Sequence, residues 1–201
     1  MRPHIRRPPL LFVLSGPSGV GKDAILNRLR ILGSPLHFTV TATTRTIREN
    51  ERDGIDYNFL SRTSFEQMIA NDEFIEHAEV YGNLYGVPKA QVQNAFNTGS
   101  DVLIKTDVQG AASIKRLAPQ VVLVFVVAPS MHELERRLKW RLTESNESLR
   151  RRLETARQEM EHVDAFDYVI VNDGLEDAVH QLNGIIAAEK CRIPPRLVRI
   201  D

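Results

Sequence analysis

The chain has 201 residues, and its 26 basic and 26 acidic side chains give a formal net charge of zero, which argues against a chain-wide footprint for nucleic acid. Its single cysteine, Cys191, excludes an internal disulfide and a cysteine-based metal cluster, and it suits a reducing compartment. The longest apolar run, 121–128, has eight residues where a bilayer span needs roughly 20, so we expect a cytoplasmic protein that binds neither nucleic acid nor a membrane.

The first predicted elements are a strand and a helix joined by a glycine-rich loop. Residues 10–14 form a short apolar run, which predicts a buried strand after a basic tail at 1–9 that we expect to be disordered. Apolar residues at helical spacing predict a helix over 23–32. The sequence between them matches the pattern G-x-x-x-x-G-K in the strand–loop–helix context that this pattern requires.

This loop predicts a site for the phosphates of a nucleotide. Glycines let backbone N–H groups approach phosphate oxygens, and the start of the following helix adds positive partial charge. Lys22 supplies a cation for the β- and γ-phosphates. The residues expected to line the site are Gly16, Pro17, Ser18, Gly19, Val20, Gly21, Lys22, Asp23 and Ala24.

The residue after the lysine departs from the pattern. That position normally carries Ser or Thr, whose hydroxyl group ligates Mg²⁺, whereas this chain has Asp23. A carboxylate is a good Mg²⁺ ligand, which makes Asp23 a candidate metal ligand. A carboxylate also stabilises a helix N-terminus without any metal, and the sequence does not decide between the two interpretations.

The next segment, 41–94, interrupts the alternation of strands and helices. It is polar at first and then has strand-like pieces around 57–60 and 74–81, with a short helix predicted over 64–71. This pattern predicts an inserted subdomain of mixed strand and helix.

The rhythm of buried strands and helices returns after the insertion. Strands are predicted at 102–104, 121–127 and 168–171, and helices at 108–117, 131–142 and 175–188. This alternation predicts a parallel sheet with helices on both faces.

The segment between 133 and 157 is rich in charge, with eight basic residues and five acidic ones. Such a segment is either a solvated helical face or a basic lid over phosphates.

Six further motifs occur in order after the phosphate loop. They are TTRTIR at 43–48, DGIDYNF at 53–59, EFIEHA at 73–78, GNLYG at 82–86, DVQG at 107–110 and VND at 171–173. Several ordered motifs are far more specific than any one of them. Over roughly 11–190, the chain resembles the guanylate kinase family.

The resemblance implies the P-loop nucleoside monophosphate kinase fold, an α/β fold in which helices flank a parallel five-stranded sheet. It implies three parts: a core, a mixed α/β insertion that binds GMP at 41–94, and a helical lid at 133–164. The core would comprise 10–40, 95–132 and 165–190. The implied reaction is phosphoryl transfer from ATP to GMP, and to dGMP, with Mg²⁺ as cofactor and with ATP and GMP as small-molecule substrates.

The residue chemistry agrees with a GMP site. Guanidinium forks bind phosphate oxygens in pairs, and a monophosphate dianion needs such donors together with hydroxyl groups. Four donors of this kind cluster in the insertion: Arg45, Arg48, Tyr57 and Tyr85. A carboxylate accepts from both N1–H and N2–H₂ of guanine, whereas adenine offers an acceptor at N1. The resemblance places three residues at the guanine edge, namely Glu76, Asp107 and Thr41.

The resemblance also assigns residues to the transferring phosphoryl group and to ATP. Arg141 and Arg152 match lid arginines that reach this group, whose negative charge spreads in the transition state. Arg137 matches a contact to the ATP phosphates, and Asn172 a position near adenine. The implied catalytic set is Lys22, Arg45, Arg141 and Arg152. No general base is needed, because the attacking phosphate oxygen is already ionised.

Four positions depart from the family pattern. They are Asp23, Lys105 in place of an acidic residue, Val87 in place of Ser or Thr, and Leu142 in place of Gly. Asp23 and Lys105 both fall at the carboxyl edge of the predicted sheet, where ligands bind. Our hypothesis is that Asp23 contacts the metal or its water while Lys105 balances that charge or touches phosphate. The alternative is that Lys105 points to solvent.

Two other functions remain open at this stage. A related kinase could act on another small phosphate acceptor, although Glu76 and Asp107 argue against it. A binding module that has lost catalysis could share the resemblance, although the loop lysine and the lid arginines are present. The oligomeric state stays undetermined.

Overall fold

The computed structural model describes residues 7–49, 51–80, 82–140 and 146–200. The first six residues of the basic tail lie outside the described residues, as do Arg141 and Leu142. The strands are β1 (Leu11–Ser15), β2 (His37–Phe38), β3 (Ala42–Thr43), β4 (Asn58–Phe59), β5 (Phe74–Val80), β6 (Asn83–Pro88), β7 (Val102–Lys105), β8 (Val122–Val127) and β9 (Tyr168–Val171). The helices are α1 (Lys22–Ile31), α2 (Arg62–Ala70), α3 (Lys89–Asn97), α4 (Val108–Leu117), α5 (Met131–Trp140), α6 (Asn146–Met160) and α7 (Leu175–Cys191), with a 3₁₀ turn at Val163–Ala165.

The predicted parallel sheet is confirmed. Five strands pair in the order β2-β7-β1-β8-β9, and all of their pairings are parallel. The central strands β1 and β8 are buried along their whole length, which explains their continuous apolar runs. The sequence missed β2, a two-residue strand at the edge of the sheet, and it missed α3.

The core lies on both faces of this sheet, because alternate side chains of each strand point to opposite sides. Phe12 and Leu14 of β1 pack in one apolar cluster, with residues of α1 and α7. Leu11 and Val13 pack in the other, with residues of α3 and α4. The helices expected on both faces are therefore present.

A second sheet, in the order β4-β3-β6-β5, lies within the predicted insertion. Its own small core contains Phe65 of α2 stacked on Phe74 of β5, with ring centroids 4.4 Å apart. A β-bulge between Phe74 and Glu76 shifts the pairing of β5 with β6. The extra residue lets three consecutive side chains, Phe74 to Glu76, be buried in three different surroundings.

The carboxyl edge of the large sheet brings the two main departures together. The phosphate loop follows β1, and Lys105 ends the neighbouring strand β7, where it pairs in register with Leu14. Parallel strands end at the same edge, so the loop and Lys105 become neighbours.

No helix within the described residues is long and apolar enough to cross a membrane.

A buried ionic cluster fastens the end of the chain to the core. The side chain of Glu189 is 1% exposed and binds Arg196 Nε at 2.9 Å and the hydroxyl group of Tyr168 at 2.7 Å. Burial opposes ionisation of Glu189, but the hydrogen bonds from Arg196 and Tyr168 prevail, and its pKa lies below the ordinary value. Arg196 is therefore the main counter-charge of a carboxylate with little access to water.

Replacing Arg196 with methionine is expected to lower the free energy of unfolding by about 3 kcal/mol, because removal of one partner leaves a buried charge uncompensated. Urea unfolding followed by circular dichroism measures the change. The matched control is Arg192→Met: Arg192 also approaches Glu189, at 3.6 Å, but it is 52% exposed. That control should cost less than about 1 kcal/mol. Equal losses for the two variants would contradict the assignment.

Candidate active site

The backbone of the phosphate loop has the shape that its glycines predict. Gly16 and Gly21 have φ values of 131° and 99°, which L side chains rarely adopt. A Cβ atom at Gly16 would lie 2.1 Å from the carbonyl oxygen of Val126, and one at Gly21 would lie 2.3 Å from Nδ2 of Asn172. The loop therefore needs glycine both for its turn and for its close contact with the strand ends behind it.

Lys22 is folded into this loop. Its ammonium group donates to the carbonyl oxygens of Gly16 and of Pro17, the latter at 3.0 Å. Burial lowers the pKa of Lys22 to about 8, although the carboxylates of Glu159 and Asp23 oppose the shift. A phosphate group entering the loop would supply the counter-charge that this desolvated ammonium group lacks.

Asn172 lies behind the loop, at the end of β9. Its side-chain amide is buried and donates to the carbonyl oxygen of Val20 at 2.7 Å. The described contacts make Asn172 a support of the phosphate loop. Its expected place near adenine stays a prediction.

Helix α6 of the predicted lid touches the loop at two points. Arg152 Nη2 donates to Oγ of Ser18 at 2.8 Å. The carboxylate of Glu159 accepts from the backbone N–H of Ser18 and lies close enough to Lys22 to interact with its charge. Burial raises the pKa of Glu159 despite these partners. Sequence reasoning missed Glu159, since an acidic residue in a mixed-charge helix gives no signal.

Arg137, for which the resemblance implies a contact to ATP, is held by its own helix. Arg137 Nε contacts Oε1 of Glu133 at 2.7 Å. Hydrogen bonds from Arg136 and Arg137 lower the pKa of Glu133 to about 2. Arg137 therefore has a carboxylate partner in this structure, and its contact to ATP phosphates stays a prediction. Arg141 lies outside the described residues.

A cleft of about 210 Å³ opens between helix α1 and the insertion. It brings together most of the residues expected to bind GMP with both linked departures: Thr41, Arg45, Arg48, Tyr57, Tyr85, Asp23 and Lys105. These residues come from distant parts of the chain, so the fold assembles the cluster that the sequence predicted.

Arg45 is a donor of this cleft whose guanidinium group is held by a carboxylate. Its Nη2 atom binds both oxygens of Glu51, at 2.7 and 3.0 Å, and its guanidinium carbon lies 5.4 Å from the ring centroid of Tyr57. Glu51 also accepts from the backbone N–H of Arg48 at 3.0 Å. Burial opposes the charge of Arg45, but Glu51 outweighs it and raises the pKa. Sequence reasoning missed Glu51, whose only signal is its place three residues after Arg48.

Glu76 and Asp107, the two carboxylates expected at the guanine edge, are not among the residues that line the cleft, but Thr106, which contacts Glu76, directly follows Lys105 of the cleft wall. Glu76 is 7% exposed, and Thr106 Oγ1 donates to its Oε1 atom at 3.1 Å. Asp107 caps helix α4 by accepting from the backbone N–H of Gly110 at 2.7 Å. Burial, aided by the charge of Asp107, raises the pKa of Glu76 to about 7. The hydroxyl group of Thr106 is a partner that the sequence analysis did not identify.

Gly110 makes room for this arrangement. A Cβ atom there would lie 2.1 Å from Thr106 Oγ1 and 2.8 Å from Oε2 of Glu76.

Val87, a departure from the family pattern, is fully buried in the apolar cluster around α3 and α4. The valine therefore extends the core instead of offering a polar group to a base.

The expected link between Asp23 and Lys105 is confirmed as a contact. Lys105 Nζ lies 2.6 Å from Oδ1 of Asp23 and 3.4 Å from the hydroxyl group of Tyr57. The lysine side chain is 18% exposed, so the solvent-facing alternative is wrong. Burial disfavours its charge, but Asp23 and Tyr57 outweigh this effect, and the pKa of Lys105 is raised.

The described residues include no group of three or more carboxylate, imidazole or thiol side chains that could hold a metal ion. Mg²⁺ in kinases usually keeps several waters and binds through substrate phosphates and one or two carboxylates. Asp23, at the start of α1, is a carboxylate in the right place for that arrangement. The donor set fits a metal carried mainly by ATP, and the metal role of Asp23 stays a prediction.

Comparisons with known proteins agree with this geometry. The sequence model of the guanylate kinase family matches residues 9–189. A guanylate kinase of Clostridium perfringens strain SM101 is 43% identical over 190 residues, which cover 94% of this chain and 88% of that protein. A guanylate kinase of Desulfitobacterium hafniense strain Y51 is 46% identical over 184 residues and 92% of each chain.

A solved structure shows the same architecture. The guanylate kinase from Anaplasma phagocytophilum is 35% identical and superimposes with a TM-score of 0.78, covering 93% of this chain and 89% of that one. The match to the family model spans the phosphate loop, the insertion and the described lid helices. This chain therefore belongs to the guanylate kinase family.

Proposed function

We propose that this protein transfers the γ-phosphoryl group of ATP to the phosphate of GMP, giving ADP and GDP, and that it accepts dGMP as well. The observation that carries the proposal is the buried carboxylate of Glu76, next to Asp107 and beside a cleft lined by arginines and tyrosines. The described residues around Glu76 supply a hydroxyl group but no cation, and a buried carboxylate of this kind is costly unless a ligand supplies further donors. Guanine supplies two, at N1 and N2, and adenine cannot match them.

The acceptor phosphate belongs in the cleft beside this base site. Arg45, Arg48, Tyr57 and Tyr85 offer guanidinium and hydroxyl donors there, and Thr41 lies on the same wall. Glu51 fixes the guanidinium group of Arg45 in place, so the side chain loses little conformational entropy when a phosphate group binds. Base and phosphate are thus recognised by two neighbouring sets of side chains.

The reaction is an in-line displacement at the γ-phosphorus atom. A phosphate oxygen of GMP forms the new P–O bond while the bond to the β–γ bridging oxygen of ATP breaks. Lys22, Arg152 and, by resemblance, Arg141 stabilise the charge that spreads over the transferred group. Mg²⁺ bound with ATP would add charge neutralisation at the β- and γ-phosphates, and Asp23 is the residue that would contact it.

A panel of phosphate acceptors tests the function. With ATP and Mg²⁺, a coupled assay of ADP release would compare GMP, dGMP, AMP, UMP and CMP. We expect kcat/KM for GMP to exceed that for AMP by at least about 10³-fold, because a site built to accept hydrogen bonds rejects a ligand without the donors. Binding of GMP without turnover would instead indicate a binding module, and turnover only with a non-nucleotide phosphate would indicate a different kinase.

The affinity for guanine is expected to depend on pH through Glu76. Its pKa of about 7 means that much of it is protonated at neutral pH, whereas accepting from guanine requires the carboxylate. Guanine donors stabilise the charged form, so affinity rises with pH and falls below pH 7. The dissociation constant should increase about tenfold from pH 8 to pH 6.

Calorimetric titrations with guanosine measure this effect without the titrating phosphate group of GMP. A dissociation constant of guanosine that stays the same across this pH range would contradict the role given to Glu76.

A cytoplasmic location also remains a proposal, based on the single cysteine and the small-molecule substrates.

A further inference from the structure

We propose that Lys105 is a phosphate-binding residue of the transfer site, where its ammonium group bridges the acceptor phosphate and the phosphoryl group in transfer. Asp23 is the carboxylate that holds this ammonium group in place before the nucleotides bind. The inference rests on the proposed function and extends it to a residue that the family resemblance does not assign.

The position of the ammonium group is the first argument. Lys105 ends strand β7, next to the strand that leads into the phosphate loop. Its Nζ atom contacts Asp23, which follows the loop lysine directly, at 2.6 Å. On the other side it lies 3.4 Å from the hydroxyl group of Tyr57 and 5.0 Å from the centroid of that ring. Nζ therefore lies at the wall of the acceptor cleft, next to the residue that follows the loop lysine, and it is close enough to Lys22 for their charges to interact.

The chemistry of the reaction is the second argument. The attacking oxygen and the γ-phosphorus atom must approach to about 3–3.5 Å, and both groups are anionic. A cation between them weakens this repulsion and stabilises the charge of the transition state. An ammonium group has three N–H donors, and two partners of Nζ are recorded within the described residues. A third donor is thus available for a phosphate oxygen.

The surrounding charges are the third argument. Arg45 already has the carboxylate of Glu51 as its partner within the cleft. Within the described residues, Asp23 is the carboxylate that contacts Lys105, and it is 55% exposed while the lysine is 18% exposed. The partially exposed carboxylate can turn towards water or a metal when a phosphate group arrives, whereas the ammonium group is confined. A phosphate group can therefore replace the carboxylate of Asp23 as the partner of Lys105 while the ammonium group stays in place.

The test compares GMP with guanosine as metal-free probes. Each is titrated by calorimetry, in EDTA, into the full-length protein and into Lys105→Met. We expect the GMP dissociation constant to rise at least about tenfold in the variant, the usual loss for a charged hydrogen bond. The guanosine constant should change less than twofold, since guanosine has no phosphate. Lys89→Met, which removes a lysine paired with exposed Asp72, is the matched control and should leave both constants unchanged.

Several outcomes would overturn the proposal. Equal weakening of GMP and guanosine, or no change in either, would make Lys105 a structural partner of Asp23 only. Lys105→Gln is measured in parallel, and failure of both variants to fold would also assign a structural role. Lys105→Arg, which keeps the charge, should retain most of the preference for GMP over guanosine.

The proposed function and this inference fail separately. If the unaltered protein binds AMP as tightly as GMP, the function is wrong whatever Lys105 does. If it prefers GMP, but Lys105→Met keeps the same ratio of GMP to guanosine affinity, only the role of Lys105 is wrong. An absence of GMP binding by the unaltered protein overturns both.

Discussion

Lys22→Met is expected to lower kcat for GMP phosphorylation by about 10⁴-fold, within the range found for a cation that acts on a transferred phosphoryl group. The ammonium group of Lys22 lies inside the phosphate loop and is desolvated, with a pKa lowered to about 8 by burial. In such surroundings its interaction with phosphate oxygens is worth more than in water. Methionine keeps most of the volume of the side chain but removes its charge and its donors to the carbonyl oxygens of Gly16 and Pro17.

Single-turnover measurements with saturating ATP and GMP give this effect directly. Lys190→Met is the matched control, because Lys190 is 42% exposed and pairs with Asp101 away from the loop. The control should retain full activity. Because loss of the desolvated charge offsets loss of the two hydrogen bonds, we expect the Lys22→Met protein to be about as stable as the parent. A variant that loses activity only because it unfolds would leave the role of Lys22 unsupported, and one that keeps a tenth of the parent kcat would contradict it.

Glu76→Gln is expected to lower kcat/KM for GMP by about 10³-fold, as for a site whose polar groups are left unpaired. In the proposed site the carboxylate would accept from two guanine donors, whereas an amide has one accepting oxygen and would present its NH₂ group to the other donor. Thr106, which donates to Oε1 of Glu76, would compete for that one oxygen. The loss should therefore appear mainly in the recognition of guanine.

Two further measurements separate recognition from damage to the fold. The pH dependence of guanosine affinity around pH 7 should disappear in Glu76→Gln, because the titrating group is gone. Glu79→Gln, on the same strand but 53% exposed, should behave as the parent. A pH dependence that persists in Glu76→Gln would mean that another group causes it.

The sequence sufficed for features set by local pattern. The central strands are buried on both faces, so β1 and β8 could be recognised as apolar runs. The phosphate loop could be recognised because its glycines are demanded by backbone geometry at Gly16 and Gly21. The edge strand β2 was missed, because two half-buried residues carry no periodicity.

The partners of the site residues were beyond sequence reasoning for a physical reason. Glu51, Thr106 and Glu159 act through contacts that only the folded chain creates, and each would be ordinary at its position in a surface loop or helix. The contact of Asp23 with Lys105 joins residues 82 positions apart. It could be anticipated only because both residues break an expected pattern and both fall at the carboxyl edge of the sheet.

The bulge in β5 makes the choice of acceptor depend on a count of backbone residues as well as on side chains. If the same residues were paired without the bulge, Ile75 would lie opposite Val87 and Glu76 opposite Gly86, and strict alternation would turn Glu76 and the later side chains to the opposite face. Glu76 would then leave the proposed base site, although no residue of the site had been substituted. Redesign of this protein for another nucleobase therefore has to preserve the pairing of Glu76 with Val87 before it changes the carboxylate.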